Sequence, residues 1–275
     1  MRTCPLCPLF IATVLVAAPT AFLIAAAPTQ DSTAPSKAAA NTGKKAGEKE
    51  WAVHDMTRPE PAIVAGGTCT NGGCSAPSDA IVLFDGKDLS QWTANGSDAK
   101  WTVADGYFQA TPGAGNIQTK QKFGSCQIHI EWMVPETCKC KSQTGCNSGL
   151  FFMDRYELQI LGSNGNKTYV DGMAGAMYGQ HPPLVNACKP NGQWNTYDVV
   201  FHAPVFGKDG ALTKAGTMTV FFNGVLVQDN AEILGATAHA AKAKYSAHEA
   251  ELPIGLQDHG DPLKFRNAWI RPLTN

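Results

Sequence analysis

Charge is scarce in this chain. Of 275 residues only 16% are Asp, Glu, Lys or Arg, the formal net charge is −1, and neither a basic stripe nor an acidic tract stands out. No nucleic-acid partner is therefore expected, and a charged helical bundle fits poorly. No long amphipathic helical pattern separates the apolar runs, which argues against parallel βαβ units. No internal repeat is visible. No cysteine follows the N-terminal apolar run closely enough to mark a lipoprotein, because Cys4 and Cys7 precede it.

What is present begins with an export signal. Arg2 supplies a short positive start, and Leu9 to Ala27 is apolar apart from Thr13, Pro19 and Thr20. The run ends on Ala25, Ala26 and Ala27, small residues that signal peptidase accepts. A retained membrane anchor is the competing reading, since the run approaches the ~20 residues needed to span. The expected organisation is a signal over 1–27, a flexible Ala/Ser/Thr/Lys/Pro linker over 28–50, an extension with a cysteine loop over 51–80, and one folded domain over 81–275. The protein is expected to be exported, periplasmic or secreted from a bacterium, with no stable membrane insertion once the signal is removed.

Seven cysteines follow the signal: Cys69, Cys74, Cys126, Cys138, Cys140, Cys146 and Cys188. Behind an export signal, disulfides are the default, although an odd number leaves at least one thiol over. Cys138, Cys140 and Cys146 crowd one loop. A zinc knot there lacks a well-placed fourth ligand.

From Ile81 the chain becomes a series of short β-branched and aromatic runs separated by Gly, Pro, Asn and Asp, in keeping with its 27 glycines. Strands are expected at 81–84, 101–103, 107–110, 127–134, 150–153, 156–161, 195–202, 217–222, 253–257 and 265–270. The pairs Asp105-Gly106 and Asn223-Gly224 carry the chemistry of two-residue hairpin turns. An all-β, antiparallel sandwich or jelly roll in one domain follows. Alternation then sorts the faces. Ile128, Ile130 and Trp132 point to the core, and Gln127, His129 and Glu131 point away. Tyr156, Leu158 and Ile160 point inward, with Glu157 and Gln159 on the other face. A concave outer face would be a sugar groove; a convex one, ordinary solvated surface.

Several blocks together carry a resemblance. These are LFDGKDLSQW at 83–92, NSGLFF at 147–152, YELQIL at 156–161, GAMYG at 175–179, WNTYD at 194–198, PIGLQDHG at 253–260 and FRNAWIR at 265–271. In this order they resemble the 3-keto-disaccharide hydrolase family. The resemblance implies a concanavalin-like jelly roll, akin to laminarinase-type glycosidases and lectins, acting on glycosides whose glucose carries a ketone at carbon 3.

Laminarinase-type strands pair carboxylates as nucleophile and acid/base. The comparable strand here offers Glu157 with the amide of Gln159 beside it. A C3 ketone suits a different route, because it acidifies the C2 proton and lets one base expel the C1 substituent by elimination, with water adding afterwards. His259 with Asp258 is the expected base, and Glu157 the acid or a metal ligand. His259 capping a turn and Glu157 as a solvated strand carboxylate are the bland alternatives. Glu131, His129, Asn147, Gln159, Tyr178, Gln257 and Arg266 are the expected sugar contacts. A divalent metal polarising the ketone is a further option, with Glu157 and His259, alongside His129 and Glu131, as its candidate ligands. Trp92, Trp132, Trp194 and Trp269 read as core, and His239 and His248 as incidental. The competing functions are a non-catalytic carbohydrate-binding module and a conventional retaining glycosidase.

Overall fold

The computed structural model describes residues 69–70 and 73–273, all within one compact unit, Pro61–Asn275. The expected signal and linker, and most of the extension, lie outside the described residues. Strands are numbered β1 to β18 in chain order. The hairpin of β1 (Cys69–Thr70) and β2 (Gly73–Cys74) pairs Cys69 with Cys74 along the backbone.

Two antiparallel sheets form the body. The six-stranded sheet runs β11 (Tyr156–Leu161), β10 (Asn147–Phe152), β17 (Gly255–Leu256), β8 (Ile117–Thr119), β4 (Trp92–Ala94) and β5 (Ser97–Asp98). The larger sheet runs β16 (Val225–Glu232), β15 (Thr217–Phe222), β12 (Asn195–His202), β9 (Cys126–Met133), β18 (Lys264–Pro272), β7 (Tyr107–Gln109) and β6 (Thr102–Ala104), with β3 (Ile81–Phe84) also paired to β18. A short hairpin, β13 (Val205–Phe206) with β14 (Leu212–Lys214), stands apart. Among the described residues there is no α-helix, only a 3-10 turn at Val170–Gly172. The fold is the antiparallel jelly-roll sandwich that the turn-punctuated apolar runs imply.

The core lies between the inner faces. Trp101, Phe108 and Phe265 pack mutually as one aromatic group, and Trp132, Tyr197 and Phe222 form a second. All six rings are buried, each contributing roughly 1.5–3 kcal/mol by leaving water. Both anticipated turns form, with Asp105-Gly106 at φ 49° and 75° and Asn223-Gly224 at 53° and 79°.

Alternation sorts the faces of β9 and β11 correctly but fails on exposure. Every residue of β11 is buried, so the outer face at Glu157 and Gln159 is roofed by loops. On β9 the outward His129 and Glu131 are buried as well. A bulge in β18 between Arg266 and Trp269, with Asn267 at φ 47°, turns both of those side chains outward over β9. Trp269 stacks on His129 at 5.2 Å, so its burial is on the outer face and not between the sheets. Trp194 is half-buried beneath the Arg266 guanidinium at 4.2 Å.

Candidate active site

The pairing of β10 with β11 builds the floor. Phe151 lies opposite Glu157 and Gly149 opposite Gln159, so Asn147, Gly149, Phe151, Glu157 and Gln159 share the outer face. Beyond β17, Gln257 and His259 extend the same wall. Together with Gln143, Tyr169, Tyr178, Thr237 and His239 these residues surround a cavity of about 290 Å³. The absence of a side chain at Gly149 is required. A Cβ there would stand 2.5 Å from Glu157 Oε1 and 2.7 Å from the Phe151 ring.

Glu157 is the unusual group. Its side chain is buried, its backbone N–H donates to Thr237 Oγ1 at 3.0 Å, and no cation pairs with its carboxyl among the described residues. Burial alone pushes its pKa up to about 8, so it carries a proton at neutral pH. Beside it, burial and then the Tyr169 hydroxyl, 2.7 Å away, raise the Tyr178 phenol, which stays a neutral donor. His259 is exposed at the cavity wall, with no hydrogen bond among the described residues. The site thus sets a protonated acid and an imidazole around one small, polar hollow.

The loop closed by the Cys140–Cys146 disulfide delivers a further polar side chain. Gln143 Nε2 donates to Thr168 Oγ1 at 2.7 Å and to the Gly172 carbonyl at 2.9 Å, and its Oε1 accepts from Gln159 Nε2 at 2.9 Å. Its backbone carbonyl accepts from Asn147 Nδ2 at 2.9 Å. With their N–H groups engaged, Asn147 Oδ1 and Gln159 Oε1 remain as buried acceptors without a partner. Hydroxyl-rich ligands satisfy such acceptors.

Of the expected site residues, Asn147, Glu157, Gln159, Tyr178, Gln257 and His259 come together here. Asp258 does not line the cavity. Its carboxylate accepts from Gly115 N and Gly260 N, each at 2.9 Å, and so fixes the turn that carries His259. His129, Glu131 and Arg266 stand on the outer face of the larger sheet, away from this cavity. There His129 Nδ1 donates to Asp198 at 2.7 Å, and Glu131 accepts from Arg266 at 2.6 Å and Asn267 at 2.9 Å. They form an ionic network and contact nothing in the hollow. Glu157 and His259 line the hollow, whereas His129 and Glu131 stand on the other sheet, so these four side chains do not come together. Among the described residues no group of three or more His, Cys, Asp or Glu side chains stands close enough to hold an ion.

The sequence reading missed Gln143, Phe151, Tyr169, Thr237 and His239. His239, read as incidental, lines the hollow. These residues lie in loops or opposite a glycine, where no periodicity marks them. The clustered cysteines around Gln143 were the one available signal, since a cross-linked loop holds something in place. Among the described side chains Cys140 and Cys146 are bonded, whereas Cys126, Cys138 and Cys188 are free thiols, so the expected oxidation extends to one bridge there.

Residues 79–271 match the family described as the 3-keto-alpha-glucoside-1,2-lyase-like domain. The chain belongs to that family. A crystal structure from Parabacteroides distasonis, provisionally named a glycosyl hydrolase, is 46% identical with a TM-score of 0.77, covering 80% of this chain and 97% of that one. A 3-keto-disaccharide hydrolase of Bacteroides thetaiotaomicron is 24% identical over 246 residues, 72% of this chain and 80% of that protein. A second Parabacteroides distasonis structure, 22% identical with a TM-score of 0.52, shares the fold.

Proposed function

We propose that the protein cleaves glycosides of 3-ketoglucose by elimination followed by hydration. The observation that carries this reading is the Glu157 carboxyl buried without a cation in the hollow that His259 borders, where burial raises its pKa. A single carboxyl and an imidazole suit proton transfer in both directions better than a double displacement, which needs two carboxyls about 5–5.5 Å apart. The family description, a 1,2-lyase, agrees with bond-breaking across C1 and C2.

In this scheme His259 removes the C2 proton made acidic by the C3 ketone. The electrons form an enolate, to which the neutral Tyr178 phenol donates a hydrogen bond. Collapse of the enolate breaks the C1–O bond, and Glu157 protonates the departing oxygen. Water then adds its oxygen to C1 and its proton to Glu157, while His259 returns a proton to C2. The balance is glycoside plus water to 3-ketoglucose plus alcohol. Asn147 and Gln159 accept from sugar hydroxyls.

Export completes the proposal. The Arg2-led apolar run points to it, and the Cys140–Cys146 bridge suits an oxidising compartment. Among the described residues no helix is long and apolar enough to cross a membrane. The function is tested by offering a 3-keto-glucoside and its unoxidised parent. Cleavage of the first alone is expected, with His259→Ala and Glu157→Gln each losing about 10²–10⁴-fold in rate. Equal cleavage of the parent would refute the scheme.

A further inference from the structure

Three side-chain amides meet at one wall of the hollow, and backbone carbonyls decide which way each points. Gln143 stands at the tip of a two-residue turn, closed by Lys141 N to the Thr144 carbonyl at 3.0 Å and Thr144 N to the Lys141 carbonyl at 2.9 Å. Asn166 clamps that turn. Its Oδ1 accepts from Ser142 N at 2.8 Å, and its Nδ2 donates to the Ser142 carbonyl at 2.9 Å. A carbonyl only accepts, so an amide facing one presents its nitrogen. The Gly172 carbonyl thus fixes Gln143 Nε2 at 2.9 Å and Gln159 Nε2 at 3.2 Å, and the Gln143 carbonyl fixes Asn147 Nδ2 at 2.9 Å. The second proton of each nitrogen stays in the same cluster, on Thr168 Oγ1 for Gln143 and on Gln143 Oε1 for Gln159 and Asn147. Glycine at 172 admits this approach. A Cβ there would stand 2.9 Å from Gln143 Nε2 and run into the Tyr169 ring.

We propose that Gln143 is a positioning residue which, acting through Asn147 and Gln159, makes this wall accept hydrogen bonds and so sets how the sugar ring lies. The proposal rests on the glycoside reading above. Asn147 is 4% exposed and Gln159 1%, and their Oδ1 and Oε1 are buried at the hollow without a partner. Leaving such acceptors unsatisfied is costly, so the ligand must bring donors. In a 3-ketoglucoside C1 carries the leaving group, C2 loses its proton and C3 is a ketone. The C4 and C6 hydroxyls are then the donors remote from the reaction. On this arrangement those two hydroxyls face the amides, and the ketone, an acceptor alone, turns toward the Tyr178 phenol. A ring with a carboxylate at C6 would meet two carbonyl dipoles of the wrong sign.

Calorimetry in the Glu157→Gln background, where turnover is slow, tests this with methyl 3-ketoglucoside and its 4-deoxy-4-fluoro and 6-deoxy-6-fluoro forms. Fluorine keeps the size of the hydroxyl and cannot donate. With Gln143 in place, each fluoro form should bind at least tenfold more weakly than the parent sugar. Adding Gln143→Leu should weaken the parent sugar at least tenfold and the fluoro forms less than threefold, so that the discrimination disappears. Thr168→Val, similar in shape and outside the hollow, should reduce the discrimination in the same direction and by less. Equal losses on all three ligands, or fluoro forms that bind as tightly as the parent sugar with Gln143 in place, overturn the proposal. Failure of all three to bind overturns the glycoside reading with it. Discrimination that depends on Gln143, in a protein whose wild type turns over none of the three, removes the chemistry and leaves the positioning role standing.

Discussion

Glu157 owes its proton to burial, and that has consequences beyond the reaction. With a folded pKa near 8 against an ordinary 4.5, the folded chain binds more protons than the unfolded one between those values, so this group costs stability as pH rises across that window. Glu157→Gln removes the cost. At pH 7.5 it should raise the thermal midpoint, by an amount corresponding to at most about 4 kcal/mol, while lowering turnover about 10²–10⁴-fold. A midpoint below wild type would show that the carboxyl is ionised and supported. For the reaction the same titration predicts kcat/KM falling as pH rises through about 8, because the general acid is lost; the variant should lack this limb. Gly149→Ala is the complementary test by shape. Its Cβ would meet the Glu157 carboxyl at 2.5 Å, so activity should drop at least tenfold, and a fully active variant would contradict the placement.

At the scale of elements, the loop between β9 and β10 and the strands it precedes act together. The Cys140–Cys146 bridge holds Gln143 against Gln159, Thr168 and Gly172. Cys140→Ser should lower stability by about 2 kcal/mol, the value for so short a closed loop, and kcat/KM about tenfold. Unchanged activity in denaturant-free buffer would show that Gln143 holds its place without the bridge. This scale also explains what the sequence disclosed. The long strands β9, β11, β12 and β15 were legible because apolar residues alternate over six or eight positions. The short β4, β8 and β17 were missed or over-extended, since two or three residues carry no period. Alternation placed Glu157 and Gln159 on one outer face, but whether loops roof that face is a tertiary fact. Asp258 and His259 were read as a pair because they are adjacent, yet the turn sends one to backbone amides and the other to the cavity.

For the whole molecule, the two sheets carry different polar clusters. The six-stranded sheet carries the hollow around Glu157, and the larger sheet carries the His129 network on its outer face. Burial opposes a charged His129 ring, but Asp198 and then Glu131 hold its pKa up to about 9. Burial also works against the Glu131 anion, which donors from His129, Asn267 and Arg266 hold down to about 2. The His129 contribution is complete below about 6.5 and lost as pH rises through about 9; that of Glu131 is present above 4.5 and lost as pH falls through about 2. Thermal stability should therefore decline between pH 6.5 and 9, and His129→Gln should flatten that decline without shifting the alkaline limb of kcat/KM. A slope unchanged by the substitution would remove the network from this role. The central claim is that one reacting face takes a proton from C2 and gives one back. Its most direct measurement is cleavage of a 3-keto-glucoside in heavy water, followed by mass and magnetic-resonance analysis of the released 3-ketoglucose. Elimination and hydration predict deuterium at C2 of the product, whereas a product formed at full rate with only protium at C2 would contradict the account.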